Sequence, residues 1–283
     1  MAGGRLAVIG LGNMGAGMAL RLLDRGFELS VHNRTAEKAA PVVAAGAKPA
    51  TSPEEAVRDH DIVLLSLADE PAVEQVLFGA IVPALAPGST VIDTSTVSPA
   101  FARDIAARLR EHGLRRVEAT VVGNPHQARN GELRVFTAGE AEPAPPVADI
   151  LAALGPEPRH VGPAGAASAL KLVFNLVLGA QLAGLAEAVA YGTGQGLDRN
   201  LLLGAVGGSG FSSPVLRFRA EIALARKYEP AQFRAGLMEK DLRIALDGGD
   251  RLAVLESVRR RFAEVVAAGD GTKDAAVLID HLA

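Results

Sequence analysis

The chain has no cysteine and no tryptophan. Without cysteine there can be no disulfide, thiol nucleophile or cysteine-ligated metal, and the redox compartment is left open. No metal is expected. Aromatic residues are only 4% of the total, so the core has to be assembled from Ala, Val, Leu and Ile. A strong excess of one charge is also lacking. The formal net charge is -3, which supplies no basic field for nucleic acid or an anionic membrane surface. The first residues lack the charged region, apolar run and cleavage site of a secretory leader, so a cytoplasmic protein is expected. The chain does have 49% hydrophobic against 22% charged residues over 283 positions, a globular balance with length for one large domain or two smaller ones.

Up to about residue 163, short β-branched runs alternate with helical patterns, which predicts βαβ units and a parallel sheet. Strands are expected at Leu6–Gly10, Glu28–His32, Ile62–Leu67, Thr90–Thr94, Arg116–Val121, Leu133–Thr137 and Arg159–Val161. Helices are expected at Met14–Arg25, Ala36–Ala45 and from Pro99 to about His112. Ser52-Pro53-Glu54-Glu55 reads as a capped helix start, and Glu140–Pro146 as a loop leading into a helix. After Gly165 the character changes. Ala166 to Tyr191 is a long alanine-rich apolar stretch without proline, and no strand pattern comes after it. A membrane span is the rival reading of Leu172–Tyr191, but Lys171, Asn175, Gln181 and Glu187 interrupt it at a cost. The expected organisation is residues 1–163 as an α/β domain and 164–283 as an all-helical domain, joined by a long helix.

Gly10-Leu11-Gly12-Asn13-Met14-Gly15 fits G-x-G-x-x-G between an expected strand and an expected helix. The first glycine permits the turn, the second lets backbone N–H groups approach a pyrophosphate, and the third lets helix and strand pack closely. The helix N-terminus adds positive dipole at the phosphates. The context predicts a Rossmann-type, doubly wound dinucleotide-binding domain. The second strand ends in His32-Asn33-Arg34-Thr35, with no acid to hold the ribose hydroxyls of NAD(H). Arg34 can pair with a 2′-phosphate, and Asn33 and Thr35 can donate hydrogen bonds, so NADP(H) is expected to be preferred, with NAD(H) as the other candidate.

Four ordered blocks resemble the β-hydroxyacid dehydrogenase family, which includes 3-hydroxyisobutyrate dehydrogenase and tartronate semialdehyde reductase. The first is Gly10–Leu29, with Met14, Met18, Ala19, Leu22 and Gly26 in register. The second is Asp93–Pro99, like D-x-S-T-x-x-P. The third is Glu118–Leu133, like the family's D-A-P-V-S-G-G run, with Gly123, Ala128, Gly131 and Leu133 in register. The fourth is Gly162–Gly165 leading into Lys171 and Asn175. Lys240-Asp241-Leu242 matches a later K-D-L run. The third block departs most, with Val122 in place of the serine and Asn124 in place of the second glycine.

The resemblance implies hydride transfer between a nicotinamide and a small hydroxy acid or aldehyde acid. Lys171 would be the proton donor or acceptor, and Asn175 would position the substrate or the lysine. On a helix these two share a face, and a lysine on an apolar helix is desolvated, which favours proton exchange near neutral pH. Cofactor contacts are implied at Gly10, Leu11, Gly12, Asn13, Met14, Gly15, Asn33, Arg34, Thr35, Leu67, Thr96 and Lys240, with Asp241 orienting Lys240. Substrate contacts are implied at Ser95, Val122, Gly123, Asn124 and Lys171. Val122 cannot donate a hydroxyl hydrogen bond, which opens carboxylate recognition to question. His126 reads equally as a pocket residue or a surface one.

Other readings stay open. Imine reductases resemble this family and share the glycine turn, but generally lack a lysine at the position of Lys171. A non-catalytic NADP-binding protein and a sugar-phosphate dehydrogenase are further alternatives, the latter wanting a longer helical domain. The expected partner is a small-molecule substrate, without nucleic acid or membrane. The apolar Ala166–Tyr191 helix suggests a homodimer or homotetramer.

Overall fold

Alternation along the first strand decides the layering. In β1 (Arg5–Ile9), Leu6 and Val8 face one way, Ala7 and Ile9 the other, and all four are buried. A strand apolar on both faces needs a cover on each. The computed structural model describes residues 5–139, 143–249 and 251–282 and shows both covers. After β1 come α1 (Asn13–Asp24), β2 (Glu28–His32), α2 (Ala40–Ala44), β3 (Lys48–Pro49), α3 (Pro53–Val57), β4 (Ile62–Leu65) and α4 (Glu70–Val76). Next are β5 (Thr90–Asp93), α5 (Pro99–Glu111), β6 (Arg115–Val122), α6 (Pro125–Asn130), β7 (Arg134–Ala138), α7 (Pro145–Leu154) and β8 (Arg159–His160). Leu6 and Val8 share one core with Met18, Leu22 and Ile150; Ala7 and Ile9 share another with Val57, Val73 and Ile105.

The strands form one sheet in the order β3-β2-β1-β4-β5-β6-β7-β8. The winding reverses between β1 and β4, and in sheets of this kind ligands bind outside the strands' carboxyl ends at that reversal. This is the expected doubly wound α/β architecture, and each expected strand is present, Glu28–His32 with the expected bounds and the others with their ends displaced by one or two residues. Two features differ. Lys48–Pro49 adds a short edge strand that the sequence pattern did not show. The sheet is also not wholly parallel, because β7 runs antiparallel to β6. A parallel return needs a crossover of about a dozen or more residues, usually through a full helix. Here Gly123–Leu133 holds only the short α6.

Local capping agrees closely with the sequence. Ser52 Oγ accepts from Glu55 N at 3.2 Å, as the helix-start pattern predicts. The Glu55 carboxylate accepts from Thr51 N at 2.7 Å and from the Thr51 hydroxyl at 2.5 Å. The expected Ala36–Ala45 helix is divided, a tight 3-10 turn at Ala36–Ala39 preceding α2. Of the expected Glu140–Pro146 loop, Glu140–Glu142 lie outside the described residues, and α7 begins at Pro145.

From Ala166 onward the described residues are helical, with a single bridge between Arg234 and Asp274. The helices are α8 (Ala166–Gly194), α9 (Arg199–Gly207), α10 (Pro214–Ala225), α11 (Ala235–Asp247), α12 (Ala253–Ala267) and α13 (Leu278–Leu282). By contacts the chain forms two compact units that divide inside α8, between Lys171 and Leu172. In the second unit, Leu182, Leu185, Ala186 and Val189 of α8 share a core with Leu216, Met238, Leu242 and Phe262. α8 is long and apolar enough to cross a membrane by length and composition, with 44% of its most apolar window buried inside the protein.

The two helices nearest the glycine turn meet through a residue without a side chain. A Cβ on Gly17 of α1 would stand 2.9 Å from Pro125 O and 3.0 Å from Ala128 Cβ of α6. Gly17→Val should therefore destabilise the protein by about 1–3 kcal/mol, read as a lower midpoint in urea unfolding. Gly204→Ala is the control, since a Cβ there meets nothing within 4 Å. It should be neutral or stabilising by up to about 1 kcal/mol.

Candidate active site

The glycine turn after β1 is built from close backbone approaches. Gly10 has φ +96°, a left-handed conformation that favours glycine, and a Cβ on it would stand 2.3 Å from Ser66 O. On Gly15 a Cβ would stand 2.0 Å from Gly10 O. Neither position admits a side chain. Gly12 differs, because a Cβ there meets nothing within 4 Å. Protein packing does not account for a glycine at that position. Gly12 is the N-cap of α1, no side chain caps that helix, and its first turn carries no acid. An uncapped twelve-residue helix with an open cradle at its start fits the pyrophosphate of a dinucleotide.

The neighbouring residues divide into braces and candidate contacts. Leu11 is buried, and its N–H donates to Asn33 Oδ1 at 2.8 Å. Asn33 Nδ2 donates to Thr35 O at 2.8 Å. Asn33 thus ties the end of β2 to the glycine turn, a bracing role that the sequence reading had not given it. Arg34 and Thr35 are exposed, as is Asn13, while Met14 is half-buried. Among the described residues, nothing pairs with the Arg34 guanidinium.

At the next strand ends, Leu67 N donates to Ser95 Oγ at 3.0 Å, joining the loop after β4 to the loop after β5. Ser95 N donates to Asp93 Oδ1 at 3.0 Å, and Thr96 is half-buried beside it. Ser98 caps α5 through Phe101 N at 3.1 Å. The second block therefore both caps a helix and braces two candidate cofactor loops.

β6 carries charges into the interior. Arg116 Nη2 donates to Asp93 Oδ2 at 2.7 Å, and Arg116 Nη1 to Glu118 Oε2 at 3.3 Å. The three side chains are 1–3% exposed. Gly165 N donates to Glu118 Oε2 at 2.7 Å, and Ser168 N donates to Glu118 Oε1. The carboxylate thus takes up bare N–H groups at the start of α8. Sequence reasoning missed this cluster. Its signal was an acid on one expected inner strand and an arginine and an acid two apart on the next, where burial demands pairing.

The departing run at Val122-Gly123-Asn124 closes β6. Asn124 Oδ1 accepts from Gln127 N at 2.9 Å, and Gln127 Oε1 accepts from Asn124 N at 3.0 Å. Asn124 thus serves as the N-cap of α6 in a reciprocal capping box. Its backbone N–H, a candidate substrate donor by sequence, is occupied. Val122 is half-buried and Gly123 exposed. His126 is exposed on α6 with its Nδ1 3.3 Å from Asn130 Nδ2.

Lys171 is half-buried near the start of α8, and its ammonium donates to Val121 O at 2.8 Å. In the second unit, Asn175 Nδ2 donates to Asp241 Oδ2 at 2.5 Å, and Lys240 Nζ lies 3.0 Å from Asp241 Oδ1. All three are buried. Asp241 therefore gathers two candidate site residues, Asn175 and Lys240. Lys171 and Asn175 stand one turn apart on α8.

Two family models match nearly end to end. Residues 5–162 match the NAD binding domain of 6-phosphogluconate dehydrogenase, and residues 165–282 match the NAD-binding domain of NADP-dependent 3-hydroxyisobutyrate dehydrogenase. An L-threonate dehydrogenase of Cupriavidus necator is 33% identical, over 97% of this chain and 94% of its own. An NAD-dependent L-serine dehydrogenase of Pseudomonas aeruginosa is 34% identical, over 88% of this chain and 86% of its own. Among solved structures, a 3-hydroxyisobutyrate dehydrogenase from Salmonella typhimurium superposes with a TM-score of 0.90 at 26% identity, covering 98% of this chain and 99% of that one.

Gly12 offers a test of the cradle that needs no substrate. Gly12→Ala should leave thermal stability unchanged, because the added methyl meets no protein atom within 4 Å. It should weaken NADPH binding about tenfold or more, at about 1.4 kcal/mol per factor of ten. Unchanged affinity in a fluorescence titration would remove the pyrophosphate from this turn.

Proposed function

The chain belongs to the β-hydroxyacid dehydrogenase family and is an NAD(P)-dependent oxidoreductase; from that premise we propose that it prefers NADP(H), acts on a small hydroxy acid and the corresponding aldehyde acid, and moves the proton through Lys171. The observation that carries the proposal is the half-buried Lys171, whose ammonium is held on Val121 O at the carboxyl end of β6. Strand carboxyl ends are where ligands bind in sheets of this kind. The bond to Val121 aims the side chain and occupies one of the three ammonium donors.

When bound, the nicotinamide supplies the hydride in reduction and accepts it in oxidation. The chain's own residues do the rest. Lys171 as an ammonium gives a proton to the carbonyl oxygen; as an amine it takes one from the hydroxyl. The Gly10–Gly15 turn and the start of α1 would hold the pyrophosphate, with Asn33 keeping the turn in place. Arg34, exposed and without a partner among the described residues, suits a 2′-phosphate, and the run His32-Asn33-Arg34-Thr35 holds no acid to repel one. Within the second unit, Lys240 is held by Asp241 at 3.0 Å. Ser95 and the Val122-Gly123-Asn124 run are the proposed substrate contacts, with Val122 presenting hydrocarbon rather than a hydroxyl. A homo-oligomer belongs to the same proposal, supported by Val173, Val177 and Tyr191, which stand 53%, 54% and 73% exposed along α8.

The test is a panel of L-threonate, L-serine and 3-hydroxyisobutyrate with NADP+ and with NAD+, beside a cyclic imine with NADPH. A hydroxy acid should turn over, with the lower cofactor KM for NADP+. Lys171→Ala should lower kcat by about 10²–10⁴-fold while keeping NADPH affinity. Near-normal kcat in that variant would remove Lys171 from the chemistry. Arg34→Asp should raise the KM for NADP+ far more than that for NAD+. Equal NADP preference in both proteins would overturn the cofactor assignment, and turnover of the imine alone would overturn the substrate class.

A further inference from the structure

The buried charges of β6 bear on Lys171 through three holds that run from this strand to the start of α8. The Glu118 carboxylate accepts from Gly165 N at 2.7 Å and from Ser168 N. The Thr120 hydroxyl donates to Ala167 O at 3.0 Å. Val121 O accepts the Lys171 ammonium at 2.8 Å. Glu118 grips residues on both sides of Ala167, Thr120 grips Ala167 itself, and Val121 takes the lysine that follows one turn on. The clamped turn carries the Lys171 backbone, so a shift of that turn is passed to the ammonium.

The charge balance explains why the first hold is firm. Arg116 brings one positive charge to two buried carboxylates, Asp93 and Glu118. The remaining negative charge is met by the N-terminal N–H groups of α8. Asp93 in turn holds Ser95 N at 3.0 Å, and Ser95 Oγ holds Leu67 N at 3.0 Å. One buried cluster thus connects the strand-end loops to the turn that precedes Lys171.

We propose that Glu118 and Thr120 are positioning residues for Lys171, fixing its ammonium at the end of β6 by clamping the first turn of α8. This rests on the reading of Lys171 as the proton-transfer group. Neither residue touches the reacting atoms; both act through the lysine.

The test is a double-mutant cycle, with kcat measured on whichever of L-threonate, L-serine and 3-hydroxyisobutyrate the wild type oxidises fastest. Glu118→Gln and Thr120→Val are each made in the wild type and in Lys171→Ala. In the wild type, Glu118→Gln should lower kcat by about 100-fold, the scale of a misplacement near 1 Å, with NADPH affinity kept. Thr120→Val, the milder change should Glu118→Gln not fold, should lower kcat by about tenfold. In the Lys171→Ala background both should leave the residual rate unchanged, because there is no ammonium left to place. Equal fold losses in the two backgrounds overturn the positioning role while leaving Lys171 in the mechanism. A normal kcat in Lys171→Ala overturns the proton-transfer reading, and this one with it. Hydrogen exchange supplies a readout without cofactor or substrate. The Gly165 and Ser168 amides should exchange faster in Glu118→Gln, and unchanged protection there overturns the clamp.

Discussion

The glycine turn of the first unit rests on an approach between two backbones. The Gly10 carbonyl lies 2.0 Å from where a Cβ of Gly15 would stand, and Gly10 itself is pressed against Ser66 O. That contact sets the angle at which α1 leaves β1, and it does so where the winding of the sheet reverses. The end of β4 is drawn to the same point, and through the bond from Leu67 to Ser95 so is the loop after β5. Tight packing at Gly10 and Gly15 is what leaves the start of α1 facing outward and uncapped at Gly12. The features that make the turn rigid and those that make it receptive have one origin.

Much of this was legible in the sequence. Short apolar runs located the strands, because burial on both faces leaves little freedom in what a strand contains. The glycine turn was legible because its spacing encodes a backbone shape rather than a side-chain chemistry. The reversal of β7 was harder to read. Direction depends on the length of a connection, and Gly123–Leu133 looked like part of a family motif rather than a short return. The role of Asn33 was also hidden. An amide that binds a ligand and one that braces a turn look alike until the Leu11 N–H is seen to point at it. The same holds for Asn124, whose side chain completes the α6 capping box with Gln127.

A core of aliphatic side chains packs without strong directional preference. In this aromatic-poor chain, direction comes from buried carboxylates instead, since charged hydrogen bonds are short and oriented. Glu118 collects Arg116 and the start of α8. Asp241 collects Asn175 and Lys240. Asp274, 1% exposed, collects Arg219 together with the N–H groups of Gln232, Phe233 and Ala276. Each gathers chain segments that are far apart in sequence. Such groups are costly to bury alone, so they also penalise any alternative packing in which their partners are missing.

Arg34 is the opposite kind of residue. It lies on the surface and lends nothing to the fold among the described residues. A change at this position breaks no side-chain bond among the described residues, so it can be selected without a toll on folding. On the proposed reading of Arg34 as the 2′-phosphate contact, the scaffold and the choice of nucleotide are separately heritable. A lineage with this architecture could then exchange one nucleotide for the other at a single exposed residue, while the buried backbone contacts behind it stay under constraint.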